Sequence, residues 1–165
     1  MVELNDFMQY KNVLSKRYLL PKDKQGLAAK DFMESVLGVS EELLTLPFFM
    51  VEPANDDNIF VTYYISIEQN DPGILPKGLH FDSYFGIDPM ASIVLSGDFA
   101  AKSEEAYQDI YKALDAHGFR AVTPVFTTIG GDSSFSYATL KIGYADKRFF
   151  EGETAGQSQE ASNGR

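Results

Sequence analysis

Two histidines, His80 and His117, are the whole imidazole supply of this 165-residue chain, and there is no cysteine. Disulfides, thiolate nucleophiles and cysteine-type zinc sites are thereby excluded. A Ser-His-Asp device needs a histidine within hydrogen-bond reach of its nucleophile. His117 precedes Gly118 at the end of a helical pattern, where a cationic ring suits the helix dipole, so a capping role is expected. His80 precedes a strand and shares its parity with Asp82; a metal or acid-base pair, or a surface structural histidine, fits that spacing. Paired carboxylates support general acid-base work, and Asp56-Asp57 and Glu104-Glu105 are two such pairs. The first lies in turn chemistry and the second at a helix start, so both are expected to be solvated structural groups. Gly130-Gly131-Asp132 lacks the Gly-x-x-x-x-Gly-Lys spacing of a phosphate loop and joins two strands, so it reads as a hairpin turn. No catalytic residue, metal ligand or cofactor is nominated, and the chain is expected not to be an enzyme.

The more telling residues are aromatic. Nine Tyr and thirteen Phe are many for this length. Alternation in the best strand pattern, 59–68, puts Val61, Tyr63, Ile65 and Ile67 on one face and Phe60, Thr62, Tyr64, Ser66 and Glu68 on the other. In the last strand pattern, 135–144, Ala138, Leu140, Ile142 and Tyr144 alternate with Phe135, Tyr137, Thr139 and Lys141. The second face of each strand is aromatic, hydroxylated and sparsely charged, a mixture that lines ligand clefts. With Phe126 from the preceding strand, the candidate ligand-binding set is Phe60, Thr62, Tyr64, Glu68, Phe126, Tyr137, Thr139 and Lys141. The alternative for these rings is core packing between halves. Phe149-Phe150 either docks against the domain or forms an exposed partner site.

The elements that must position these residues follow from the same patterns. Residues 6–20 read as extended, with a bulge or break near Asn12 where alternation falters. Residues 22–38 read as a helix carrying Ala29, Met33, Val36 and Leu37, flanked by Phe32 and stopped at Gly38. Strands 46–52 and 59–68 follow, and 69–78 is a turn-rich linker. The order then repeats: an extended stretch 81–97, interrupted at Asp88-Pro89; a helix capped by Ser103 and stopped at Gly118, with Ala106, Tyr107, Ile110, Tyr111 and Leu114 inward; and strands 121–129 and 135–144. A shift of 77 residues carries Pro47 onto Pro124, Phe49 onto Phe126, Phe60-Val61-Thr62 onto Tyr137-Ala138-Thr139, Ile65 onto Ile142, Met33 onto Ile110 and Leu37 onto Leu114. The expected fold is α+β: duplicated βαββ units, about 6–68 and 79–145, forming one antiparallel sheet with two helices on one face.

One domain is expected over 1–150. From Glu151 to Arg165 there is no Leu, Ile, Val, Met or aromatic residue, so 151–165 is expected to be a disordered tail. The net charge of -10 argues against non-specific nucleic-acid binding and against an anionic membrane surface, which need a basic face. The N-terminus lacks the basic and apolar regions of a signal peptide, and no apolar run approaches the ~20 residues of a membrane span. A cytoplasmic location is expected.

The run Ala91-Ser92-Ile93-Val94-Leu95-Ser96-Gly97-Asp98, the 107–114 helix, Pro124-Val125-Phe126-Thr127 and the strand ending at Tyr144 resemble the GyrI-like, or bacterial effector-binding, superfamily. The resemblance covers about 140 residues and rests on loose hydrophobic, Gly and Pro placements. It implies two SHS2-type βαββ units and a cleft for bulky cationic or aromatic molecules. Many members place an acidic residue in the strand after the Pro-x-aromatic turn; here Thr127 and Thr128 stand in that stretch, with Glu52 and Glu68 as the substitutes. The departure puts cationic-drug binding and hydrolase activity in doubt. The opening Tyr10-Lys11-Asn12-Val13-Leu14-Ser15-Lys16-Arg17-Tyr18 also resembles a free-standing group encoded beside type VII-secreted LXG toxins. That implies the alternative of an accessory or immunity-like protein partner. The first expectation is a non-enzymatic module for a hydrophobic small molecule.

Overall fold

The computed structural model describes residues 1–131 and 136–150. The expected tail, part of the expected hairpin turn (Asp132 and Ser133) and the expected strand start Phe135 lie outside them. Among the described residues the order is β1 (Glu3–Pro21), a 3-10 turn, α1 (Gln25–Leu37), β2 (Phe48–Pro53), β3 (Asn58–Ser66), β4 (His80–Ser96), α2 (Phe99–Ala116), β5 (Phe119–Ala121), β6 (Phe126–Gly131) and β7 (Ser136–Asp146). The α+β, duplicated βαββ expectation holds, with the helices on one sheet face.

Each helix covers its own unit. Ala28, Phe32 and Val36 of α1 pack on Leu14, Ile59, Val61, Tyr63, Ile65 and Ile67. Ala106, Ile110 and Leu114 of α2 pack on Ala91, Ile93, Leu95, Leu140, Ile142 and Tyr144. A third cluster joins Met8, Val13, Phe48, Tyr64, Met90 and Phe126, with Tyr10, Met50, Phe85 and Ile87 against it. It contains no helical residue and lies on the sheet face turned away from the helices.

The units join at two places. β2 pairs with β6, and the long strands β1 and β4 pair with each other. Since β4 also pairs with β7, the order β4-β1-β3-β2-β6-β7 closes into a barrel-like ring, and β5 extends β7. The sheet closes because β1 and β4 each outrun their own unit, so their spare backbone groups find partners in one another.

Local boundaries refine several expectations. β4 runs unbroken through Asp88-Pro89. The second helix starts a turn early: Asp98 is its N-cap, accepting from the Ala101 N–H at 3.3 Å, while the Ser103 hydroxyl donates to the Phe99 carbonyl. Gly118, at φ 75°, ends that helix as expected, and His117 is its C-cap, its Nδ1 2.8 Å from the Ala113 carbonyl. Gly38 has ordinary helical φ of -70° and serves as C-cap without needing glycine's freedom. The strand expected at 121–129 is two strands, because Pro124 removes a donor and the chain changes partner segments on β7.

The repeat also needs correction. Val13↔Ser66 in the first unit corresponds to Met90↔Gly143 in the second, a shift of 77 residues for the outer strands. Tyr64 pairs with Phe48, and its counterpart Lys141 pairs with Phe126, so the β2-to-β6 shift is 78. The helices agree with 78: Ala28, Phe32 and Val36 match Ala106, Ile110 and Leu114. The equivalent of Phe126 is therefore Phe48, not Phe49, and that of Ile110 is Phe32, not Met33. Leu37, 50% exposed, is not the counterpart of Leu114. A one-residue slip reverses facing in a strand. Adjacent Phe48 and Phe49 offered either alignment an aromatic match.

Candidate functional site

The nominated face is largely filled by its own rings. Phe48 stacks on Tyr10 at 4.8 Å and on Tyr64 at 5.1 Å. Phe85 lies 5.1 Å from Tyr64 and 5.8 Å from Phe126, and Tyr64 lies 5.9 Å from Phe126. Burial pushes the Tyr64 phenol up to about 12, with Glu52 and Asp82 adding to the rise and a hydrogen bond with Thr62 opposing it.

Seven of the eight nominated residues share this face by register. Tyr64 and Phe126 are in the packed cluster, and Thr62 is buried. Phe60 lies under the Arg17 guanidinium, 4.0 Å from the ring centre, and Arg17 reaches Glu52 at 3.7 Å. Lys141 donates to Asp6 at 3.3 Å and to the Phe7 carbonyl at 3.1 Å. Thr139 pairs with Thr128 and Val94, and Tyr137, partly exposed, lies over Gly130, whose missing side chain leaves room for the ring. Glu68 stands apart, exposed beyond the end of β3 beside Glu41 and Glu42.

The other residues with chemical interest have structural surroundings. His80 is exposed at the start of β4, opposite Ser15. Asp56 and Asp57 are exposed in the β2–β3 turn, where the Asn55 side chain accepts the Asp57 and Asn58 N–H groups. Phe150 docks under Arg120, whose guanidinium is 4.6 Å from the ring centre, while Phe149 is exposed. Among the described residues no cluster of His, Asp or Glu could hold a metal ion. None of their helices is long and apolar enough to cross a membrane.

An open concavity lies on the opposite, helix-bearing face. A groove of about 600 Å³ runs between α2 and the β2–β6 seam. Its walls are Tyr107 and Tyr111 of α2, Val51 and Pro53 of β2, and Pro124, Val125 and Thr127 at the start of β6, with Glu52 at the rim. Val51 packs towards the α1 core, while Tyr107 and Val125 pack towards the α2 core, so the groove sits where the two helical layers leave the seam uncovered. Burial raises the Tyr107 phenol pKa, and neighbouring Tyr111 and Glu104 add to this. Tyr107 therefore presents a neutral hydroxyl to the groove. A sequence signal for this site was present in the Tyr107–Tyr111 spacing, one helical turn apart. Both residues continue the apolar stripe of α2, which gives the same spacing an inward, core-facing reading.

A family model described as a domain of unknown function, DUF5085, matches residues 9–145. No curated protein matches the chain. Among solved structures, the EcmrR chain of an EcmrR–DNA complex superposes with a TM-score of 0.67 at 11% identity, over 88% of this chain and 58% of that one. This chain thus spans little more than half of that protein. The isolated EcmrR C-terminal domain gives 0.61 at 12% identity, over 87% of this chain and 99% of that domain. A hydrolase from Listeria innocua gives 0.58 at 8% identity over 86% and 92% of the two chains. SAV2435 bound to tetraphenylphosphonium gives 0.51 at 11% over 86% and 93%. At these identities the likeness is one of fold alone.

Proposed function

For this chain, which belongs to the DUF5085 family, we propose a ligand-binding module that takes an apolar, ring-bearing small molecule in the groove between α2 and the β2–β6 seam. The observation that carries this reading is the groove itself: about 600 Å³, walled by two tyrosines, two prolines and two valines, with Thr127 as a polar group among them. Its volume is in the range of small-molecule sites, about 300–1,000 Å³, and its composition matches theirs. The lining holds one carboxylate and no histidine, equipment for binding rather than for paired acid-base chemistry. Tyrosine faces attract cations. The tetraphenylphosphonium in SAV2435, a cation of four phenyl rings, supports a ring-bearing ligand by analogy of fold. In this reading the nominated face is the packed support of the site, with Phe126 directly behind its wall.

Native mass spectrometry after incubation with tetraphenylphosphonium tests this. The expected result is a one-to-one adduct above the 18.4 kDa chain that is lost in Tyr111→Ala. An equal adduct in folded Tyr111→Ala would overturn the groove as the site. A second protein's mass in place of a small adduct would favour the alternative, an accessory or immunity-like partner beside an LXG toxin.

A further inference from the structure

Across the seam β2 pairs with β6 at Phe48↔Thr128, Phe49↔Thr127 and Met50↔Phe126, and the central pair is Phe49 of β2 opposite Thr127 of β6. These positions are equivalent, because the 78-residue shift that carries Phe48 to Phe126 carries Phe49 to Thr127. The pseudo-twofold axis of the duplication therefore passes through this pair. Identical units would place the same side chain on both sides of it. Here one side is a phenylalanine and the other a threonine. The Phe49 ring packs against the α1 core and lies 5.6 Å from Tyr63. Thr127 leaves its side open and lines the groove. The same shift carries Ala29 to Tyr107 and Met33 to Tyr111, and Ala29 and Met33 both pack against the α1 core. One half of the seam is thus filled by a ring of the chain itself, and the other is an open slot between tyrosines.

We propose that Thr127 is the specificity-determining residue of the groove: it leaves open the volume that Phe49 fills in the other unit. The protein then takes one ring-bearing molecule per chain, on the α2 side only. The ring of that molecule occupies the place, mirrored across the axis, that Phe49 occupies beside α1. This inference rests on the ligand-binding reading given above.

The test is a fluorescence titration with Nile red, a neutral planar dye, on the full chain and on Thr127→Phe, Thr127→Leu and Thr127→Val, each checked for wild-type circular dichroism. The expected wild-type result is saturable binding of one dye per chain. Overfilling by Phe should weaken it at least about tenfold and Leu by less, while near-isosteric Val should stay within about threefold. If Thr127→Phe does not fold, the Leu variant carries the comparison. Folded Thr127→Phe or Thr127→Leu binding as the wild type does, or two dyes per wild-type chain, would overturn the inference and leave the binding reading standing. No saturable binding by the wild type would overturn both.

Discussion

Tyr64 and Lys141 occupy equivalent places in the two units, and each is held by what surrounds it. Tyr64 is a neutral phenol packed among Phe48, Phe85 and Phe126. Lys141 is a cation tied to Asp6. Burial pushes the Asp6 carboxyl up, but hydrogen bonds from Ser92, the Phe7 N–H and Lys141, with the Lys141 charge, hold it below its ordinary value. A lowered carboxylate stabilises the fold above its unfolded pKa, and that stability is lost as pH falls through the folded value. Wild type should therefore lose more stability than Asp6→Asn between about pH 5 and pH 3, by on the order of 1 kcal/mol because the pair is partly exposed. Urea unfolding at the two pH values reads this, and parallel curves would dismiss it. Phe48, 1% exposed and stacked on two rings, should cost about 3–5 kcal/mol on truncation to Ala in the same assay.

β1 shows how one element serves three cores. Leu4, near its start, and Val2 just before it pack under α2; Met8, Tyr10 and Val13 enter the third cluster; Leu14, Tyr18 and Leu20 pack under α1. Strict alternation would forbid this. The strand changes facing through register shifts between Glu3 and Met8 and through the left-handed backbone of Asn12, whose φ is 54°. Asn tolerates that left-handed backbone, and its side chain donates to the Asn70 side-chain oxygen at 2.9 Å. Asn12→Val should cost about 1–3 kcal/mol through backbone strain and the lost bond, and Asn12→Gly less. Equal thermal midpoints for wild type and Asn12→Val would refute the strain. In α2, Asp98→Ala should cost about 1 kcal/mol and Ser103→Ala clearly less, since the cap is Asp98.

At the scale of the whole molecule, neither unit completes its own hydrogen bonding. β1 needs β4, and β2 needs β6, each from the other half. The third cluster likewise draws Met8, Val13, Phe48 and Tyr64 from one half and Met90 and Phe126 from the other. A fragment of residues 1–78 is therefore expected not to give a folded monomer, as amide dispersion in a proton–nitrogen spectrum would report. Sharp native-like dispersion from a monomeric fragment would contradict it.

Much of this was legible in the residues alone. The order of elements along the chain, the helix positions and the faces of β3 and β7 follow from period-two and helical spacing, because local geometry decides which side chains share a side. The break near Asn12 showed as faltering alternation. Which faces meet is not local. Phe48 and Phe49 look alike in the chain, and only pairing with Tyr64 and Tyr63 sends one to the third cluster and the other to the α1 core. The aromatic face reads as a cleft when its strands are considered singly. Ring closure brings Tyr10 and Phe85 against it and fills it, while the uncovered seam beneath Tyr107 and Tyr111 becomes the groove. Pattern determines what each face carries; closure of the backbone ladder between distant strands determines which face is filled and which stays open.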